Sequence, residues 1–472
     1  MALILASKVK GVKAPEEKAA PSLYEIQEVK AHAEELQLLQ KGKASESTDH
    51  EMRTAPLITR EAFITGGFQE RSMQYGVLGE TLSIHSKSGV HVPIDPRLYI
   101  NTNALLSVVV CRVQGSGKSH TISVLLENMF IPAYDPIGAL SYPLAGLVLH
   151  YGEGGPGTRP SEVAWVSSTS QIGVKPPMVH VYVSRSSLNT MRAVYKPLRE
   201  WVMVMPLLFN KSKLDAQAVL SMMAVGSSES APLYMQIVLS ILRDLGERFS
   251  YGTFLSRLDI EKKNFNPGQA AGLEQRLALL DSFMEPPTPA YGRGLQKQTS
   301  PRFATERLTI IDLSDPFIDP ALACGLFEIV TRQFVCADVD TGKVLVVDEA
   351  HKPTIVPPVL LDLCTVAIMH RFSSPTWWDH LVRHVATDVS VNEGFEMDLK
   401  LQTGEALVLA PSGLGVFPDH SELEKSSDRN ANREHANPKG LLKLSQFGWR
   451  FLLMKTRLRV TKDRGASVLV VG

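Results

Sequence analysis

Between residues 104 and 130 the chain passes from an apolar run, Leu105-Leu-Ser-Val-Val-Val-Cys111, through a turn rich in Gly and Ser to an amphipathic stretch, Ile122-Ser-Val-Leu-Leu-Glu-Asn-Met-Phe130. This pattern predicts a strand, a tight loop and a helix. Short apolar runs of strand length recur at residues 145–150, 179–184, 202–205, 308–313, 344–347, 366–371 and 406–409. Apolar residues at helical spacing, bounded by Pro, Gly or Asp, lie between many of them, at residues 230–245, 267–284 and 319–335. Alternation of this kind predicts an α/β protein with a largely parallel sheet. Upstream, apolar and polar positions alternate in Thr81-Leu-Ser-Ile-His-Ser86 and break at Gly89 and Pro93, which predicts a small β module over residues 56–100. The pattern divides the chain into a flexible charged arm (1–55), that module, a core (101–417), a polar flexible loop (418–438) and a C-terminal segment (439–472) holding a helix and a closing strand near 466–471.

The loop after the first core strand has the residues of a phosphate cradle. Gly115 and Gly117 let the backbone approach phosphate oxygens, and amides from Gln114 to His120 point at the place where a helix N-terminus favours negative charge. Lys118 can reach the β and γ phosphates of a nucleoside triphosphate, and the Ser119 hydroxyl can ligate Mg²⁺. The pattern departs from G-x-x-x-x-G-K-[ST] in one slot, where Arg112 replaces the first glycine. If that position needs φ > 0, the exchange costs about 1–2 kcal/mol. A second motif, Lys343-Val-Leu-Val-Val-Asp-Glu-Ala-His351, reads as a buried strand that ends in two carboxylates. Asp348 suits the Mg²⁺ shell and Glu349 suits orientation and deprotonation of an attacking water. Taken alone, the pair serves equally well as a helix N-cap. The cradle upstream favours catalysis.

Composition narrows the classes. Forty-nine basic residues balance forty-nine acidic ones, so a general nucleic-acid surface is excluded and any such patch must be local. The best candidate is Arg450, Lys455, Arg457, Arg459, Lys462 and Arg464, for which a solvated face is the first reading and a nucleic-acid contact the second. No apolar run reaches membrane-spanning length and no secretory leader is read, which predicts an intracellular protein, cytoplasmic or nuclear. Four cysteines, each in or beside an apolar stretch and without zinc-ligand spacing, predict reduced core thiols. Gly152 to Gly157 reads as a loop ahead of a phosphate site, Trp377 and Trp378 as packing residues, and His351 as a helix-start residue.

On the strings Val110 to Thr121, Leu308 to Phe317, Val344 to Lys352 and Val366 to Phe372, the chain from about Arg71 onward resembles the HerA/FtsK group of hexameric P-loop ATPases, with HerA-like P-loop proteins of fungi the nearest kind. The resemblance implies a RecA-like, mainly parallel sheet, Mg-ATP as ligand, a homo-oligomeric ring and, in the best-understood relatives, translocation of DNA. It also implies that Arg371, at the end of its strand, approaches a nucleotide phosphate. In this group a helix and a strand ending in a polar sensor follow the Walker B strand, whereas here Lys352 runs straight into Pro353-Thr-Ile-Val-Pro-Pro358. A strand-helix-strand crossover takes roughly 30 residues, so the central sensor strand is missing from the expected sheet. Two outcomes are open: unpaired edges on the flanking strands, or direct pairing of residues 105–111 with 344–347. Hydrolysis is therefore doubtful, and three functions stand: an ATP-binding protein, an active DNA translocase, or a nucleotide-stabilised scaffold.

Overall fold

The computed structural model describes residues 50–68, 74–87, 89–111, 117–152, 154–155, 157–223, 233–286, 301–348, 364–371, 375, 378, 391–418 and 442–462. Most of the expected arm, Gln114, Gly115, Ser116, Glu349, His351, Trp377, residues 419–438, Arg464 and the closing strand at 466–471 lie outside them. In chain order the strands are β1 (Leu57–Thr59), β2 (Tyr75–Ser86), β3 (Gly89–His91), β4 (Arg97–Asn101), β5 (Val108–Cys111), β6 (Gly138–Ala139), β7 (Ala145–His150), β8 (Met178–Val183), β9 (Val202–Pro206), β10 (Arg307–Asp312), β11 (Lys343–Val347), β12 (Val366–Met369), β13 (Glu405–Leu409), β14 (Leu414–Pro418), β15 (Leu442–Gln446) and β16 (Phe451–Thr456). The helices are α1 (Arg60–Thr65), α2 (Lys118–Phe130), α3 (Leu188–Val194), α4 (Ala216–Met222), α5 (Leu233–Leu245), α6 (Tyr251–Glu261), α7 (Pro267–Ser282), α8 (Pro320–Cys336) and α9 (Val391–Leu399).

The strands sort into two sheets. One is parallel throughout, in the order β11-β7-β10-β8-β9. The other is mixed and runs β15-β14-β1-β4-β2-β16-β13-β12-β5, with β3 and β6 added on β2. Its neighbours are antiparallel except at β1–β14 and β12–β5. The strands of residues 56–100 are thus hydrogen-bonded into one sheet with β5, β12 and β13, and the expected mainly parallel sheet is the smaller of the two.

Helix α2 fills the space the two sheets share. Val124, Leu125, Leu126, Met129 and Phe130 pack in one cluster with Val148, Val179, Val181 and Ile310 of the parallel sheet and with Val366, Ile368, Val408 and Leu452 of the mixed one. Each such side chain contributes about 1.5–3 kcal/mol on full burial. Side chains alternate across a strand, so Val179, Val181 and Val183 of β8 face α2, whereas Tyr182 joins a second cluster built with α4 to α8. Gly146 sets how closely α2 sits: a Cβ there would lie 2.5 Å from the Phe130 ring. Helix starts follow local chemistry. Asn266 and Gln269 cap one another reciprocally at α7, and Asp319 accepts from the Leu322 amide at α8, each with Pro in the first turn.

The expected direct pairing of the first core strand with the Walker B-like strand is not found. Among the described residues β5 pairs with β12 alone and β11 with β7 alone, so each is the edge of its own sheet. The expectation of a fully buried β11 is corrected with it, since Leu345 is 44% and Val347 62% exposed. Composition alone reads four aliphatic residues as a strand covered on both faces, but a sheet edge leaves them half open.

The basic stretch near the C-terminus is corrected in part: Lys455 and Lys462 are exposed, as a solvated face requires, but Arg457 and Arg459 are not. The side chains of Arg457 and Arg459 are largely covered against the fully buried Glu127 of α2, with Arg457 Nη1 2.6 Å from Oε2 and Arg459 Nε 4.0 Å from Oε1. The amides of Val460 and Thr461 and the Thr461 hydroxyl also donate to Glu127. These arginines therefore hold chain to helix and are unavailable to a nucleic acid. Of the cysteines, Cys111 is buried, its thiol pushed up to about 12 chiefly by burial, but Cys324 and Cys336 are exposed on α8. Trp378 is a packing residue, buried beside Cys111 and Met369. No helix among the described residues is long and apolar enough to cross a membrane.

Two measurements check this arrangement. Arg457→Met leaves Glu127 without its shortest ion pair, and breaking a buried pair of this kind costs about 3–5 kcal/mol, to be read from urea unfolding. His180 on β8 is buried and its pKa is pushed down to about 4, first by burial and then by Arg307. The unfolded imidazole takes a proton near pH 6.5 and the folded one does not. Stability associated with His180 is thus present above pH 6.5 and is lost as the pH falls towards about 4. A His180→Phe variant should show a shallower loss between those pH values in the same unfolding assay.

Candidate functional site

Parallel sheets present their chemistry beyond the carboxyl ends of the strands. There the chain places His150 at the end of β7, Asp312 at the end of β10 and Asp348 just after β11. The Asp348 amide donates to Leu149 O at 2.9 Å, extending the ladder between β11 and β7 by one residue. Its carboxylate, 4% exposed, has Lys118 Nζ 3.7 Å from Oδ1 and His150 Nδ1 3.2 Å from Oδ2. The Ser161 hydroxyl donates to the same Oδ2 at 3.5 Å. Lys118 opens α2 beyond the carboxyl end of β5, so the ends of two strands from separate sheets meet at one ion pair.

A second buried carboxylate lies one step further along a hydrogen-bond chain. The Ser161 amide donates to the Tyr195 hydroxyl at 3.1 Å, and that hydroxyl donates to Asp312 Oδ2 at 2.7 Å. Asp312 Oδ1 accepts from the Ser314 amide at 3.0 Å. Burial holds the Tyr195 phenol well above its usual range, and the neighbouring Asp312 charge adds to this, so the hydroxyl keeps its proton and acts as a donor. Beside it, Asp315 accepts from the hydroxyls of Ser184 and Ser186 and from the Phe317 amide, tying the end of β8 to the turn after β10.

The N-terminus of α2 rests on the mixed sheet. Gly117 caps it at φ 114° and ψ 5°, a left-handed conformation that glycine adopts without a Cβ penalty. Gly117 offers no capping side chain and the first turn has no acidic residue of its own, so the carboxylate beside this helix end comes from another element, Asp348 next to Lys118. Below the turn, His370 Nδ1 lies 2.8 Å from Glu405 O, and Nε2 lies 2.9 Å from Thr121 Oγ1. A carbonyl only accepts, so Nδ1 carries the proton and a neutral ring takes its second hydrogen bond from the Thr121 hydroxyl. Thr121 Oγ1 is also 2.9 Å from Thr456 Oγ1. Through Thr121 the first turn of α2 is thereby tied to β13 by the fully buried His370 and to β16 by Thr456.

The structure brings Lys118 and Asp348 together and sets Ser119 beside Lys118 in the first turn of α2. His120 directs Nε2 to Arg457 O at 2.8 Å. Arg371 is exposed, directly after His370. Gln114, Gly115, Ser116 and Glu349 lie outside the described residues. After β7 the described part of Gly152 to Gly157 is a loop, with left-handed Gly154 and Gly155 and no helix start, as expected.

His150, Ser161, Tyr195, Asp312 and His370 join the site without having been singled out from the sequence. Three had a signal: His150, Asp312 and His370 each close an apolar strand run with a polar residue, at the position where parallel strands carry function. Ser161 and Tyr195 come from irregular segments and had none.

A divalent ion suits these residues. Ser119 and Asp348 are hard oxygen donors, and magnesium commonly takes one or two of these from the protein and the rest from phosphate and water. Among the described residues no group of three or more His, Cys, Asp or Glu side chains forms a cage that could hold a metal.

These features define the class as an α/β protein whose polar site lies at the carboxyl ends of parallel strands. Neither a family model nor a curated protein matches the chain.

Tyr195→Phe tests the network. It removes the donor to Asp312 and the acceptor for the Ser161 amide, and leaving such groups unsatisfied costs about 1–3 kcal/mol. The loss should show as a lowered urea midpoint with an unchanged far-ultraviolet spectrum.

Proposed function

We propose that the chain binds a nucleoside triphosphate, ATP with Mg²⁺, at the N-terminus of α2, and that it derives from hexameric DNA-translocating ATPases of the HerA/FtsK kind. The observation that carries the reading is the approach of Lys118 Nζ to within 3.7 Å of Asp348 Oδ1 beside a left-handed Gly117. Sequence motifs far apart in the chain thereby meet as a phosphate-binding lysine and a metal-binding carboxylate would. Backbone amides from Gln114 to His120 cradle the phosphates, Lys118 neutralises the β and γ groups, and Ser119 and Asp348 hold the ion. Bound Mg²⁺ would supply charge neutralisation between the β and γ phosphates. Glu349 orients the water where turnover occurs, and Arg371 meets phosphate charge.

Hydrolysis asks more of the site than binding does. Phosphoryl transfer depends on positioning, and here the lysine opens helix α2 while the aspartate follows a strand of the parallel sheet, with no strand joining β5 to β11 among the described residues. An active ring that moves DNA is the competing reading, and a nucleotide-stabilised scaffold that does not turn over is the third. The site of action is proposed to be intracellular, cytoplasmic or nuclear.

Calorimetry with ATP and Mg²⁺ tests the site. Lys118→Ala should abolish binding, and Glu349→Gln should bind while releasing no phosphate; retained ATP binding in the lysine variant would refute the assignment. Phosphate release stimulated by added DNA would favour the translocase, whereas a ligand-dependent rise in Tm without phosphate release would favour the scaffold.

A further inference from the structure

We propose that His150 and Ser161 are positioning residues for Asp348: they hold one oxygen of its carboxylate and thereby turn the other towards the α2 N-terminus and the ion carried there with the nucleotide. The inference rests on the nucleotide-site reading and names residues to which neither the motifs nor the resemblance gives a role.

The two oxygens of Asp348 have different neighbours. His150 Nδ1 stands 3.2 Å and Ser161 Oγ 3.5 Å from Oδ2, and Lys118 Nζ stands 3.7 Å from Oδ1. A carboxyl group rotates over a broad range about its last torsion. Two donors on one oxygen oppose that rotation and set the direction in which the other oxygen presents its lone pairs. Direction matters because magnesium demands near-octahedral ligand geometry and tolerates little misalignment.

The two donors are themselves held by the core. His150 ends β7 in register with Asp312 of β10, and its neighbour Leu149 pairs with Val347 of β11 and accepts from the Asp348 amide. Backbone pairing therefore fixes the separation of His150 and Asp348. Ser161 is 1% exposed and donates its amide to the Tyr195 hydroxyl, which is anchored on Asp312. Asp348 is thus aimed by groups from β7, β10 and the segment before β8. The imidazole and the hydroxyl are proposed to act through the carboxylate.

Binding of a fluorescent ATP analogue to the purified full chain, titrated with MgCl₂ and repeated in EDTA, tests this. His150→Ala should raise the half-saturating Mg²⁺ concentration about tenfold or more, as loss of a partner behind a metal ligand does, with a much smaller change in the EDTA affinity. His150→Asn puts a side-chain N–H near the place of Nδ1 and should restore most of the magnesium response. Ser161→Ala should shift the response in the same direction as His150→Ala, which keeps the test open if the latter fails to fold, as judged by thermal melting in EDTA. An unmoved magnesium response in folded His150→Ala and Ser161→Ala, or equal losses with and without magnesium, would overturn the positioning role alone. Failure of the wild-type chain to bind the analogue in either condition would overturn the nucleotide site and this role with it.

Discussion

The architecture depends on one helix being buried almost all round. From Thr121 to Phe130, α2 has only Ile122 less than fully covered, and it is the element on which two separately hydrogen-bonded sheets converge. Its apolar residues enter the shared core, and three of its buried polar ones, Thr121, Glu127 and Asn128, have fixed partners. Thr121 is bonded to His370, Glu127 to the arginines of the C-terminal segment, and Asn128 to the Val77 carbonyl. An unpaired charge in this position would cost several kcal/mol, so the segment from Arg457 to Thr461 is bound to the helix by electrostatics as much as by shape. Where α2 begins, Lys118 meets Asp348 of the parallel sheet.

This explains how a lysine and an aspartate from different sheets can meet. No ladder aligns them directly. Lys118 is placed by the mixed sheet through Gly117, Thr121 and His370, and Asp348 by the parallel sheet through β7 and His150. The ion pair therefore depends on the packing between α2 and β7, where Gly146 admits the Phe130 ring. A change in that packing, far from either charge, would alter their separation.

Much of the local structure was legible in the sequence, because apolar runs of four to six residues and helical spacing are local signals. The run at 145–150 is the strand β7, the run at 308–313 is β10 shifted by one residue, and the helix at 319–335 is α8 shifted by one. Which strands pair is a non-local question, and local patterns could not assign β5 to β12 and β11 to β7. The same limit explains the basic stretch. Arg457 looks like a surface residue until Glu127, 330 positions earlier in the chain, is found beside it. In the site, glycine and lysine at the turn and a carboxylate after an aliphatic strand were readable. Of the donors aiming that carboxylate, His150 closes an apolar strand and was within reach of the pattern, whereas Ser161, and Tyr195 behind it, belong to no periodic element and come to the site only through folding.

Lys343, the one charged residue of β11, has a consequence of its own. Its ammonium lies over the Phe334 ring and donates to the carbonyls of Val335 and Ala337 at 2.8 and 2.6 Å. It is therefore engaged in closing the C-terminal turn of α8. Proteins commonly use such an outlying lysine to discourage a foreign strand from joining a ladder. With this one turned away, the half-open Leu345 and Val347 rely, among the described residues, on the brevity of a five-residue strand to limit self-association. A longer β11 would offer a foreign strand more rungs on the same open face, so the shortness of this edge is itself a safeguard.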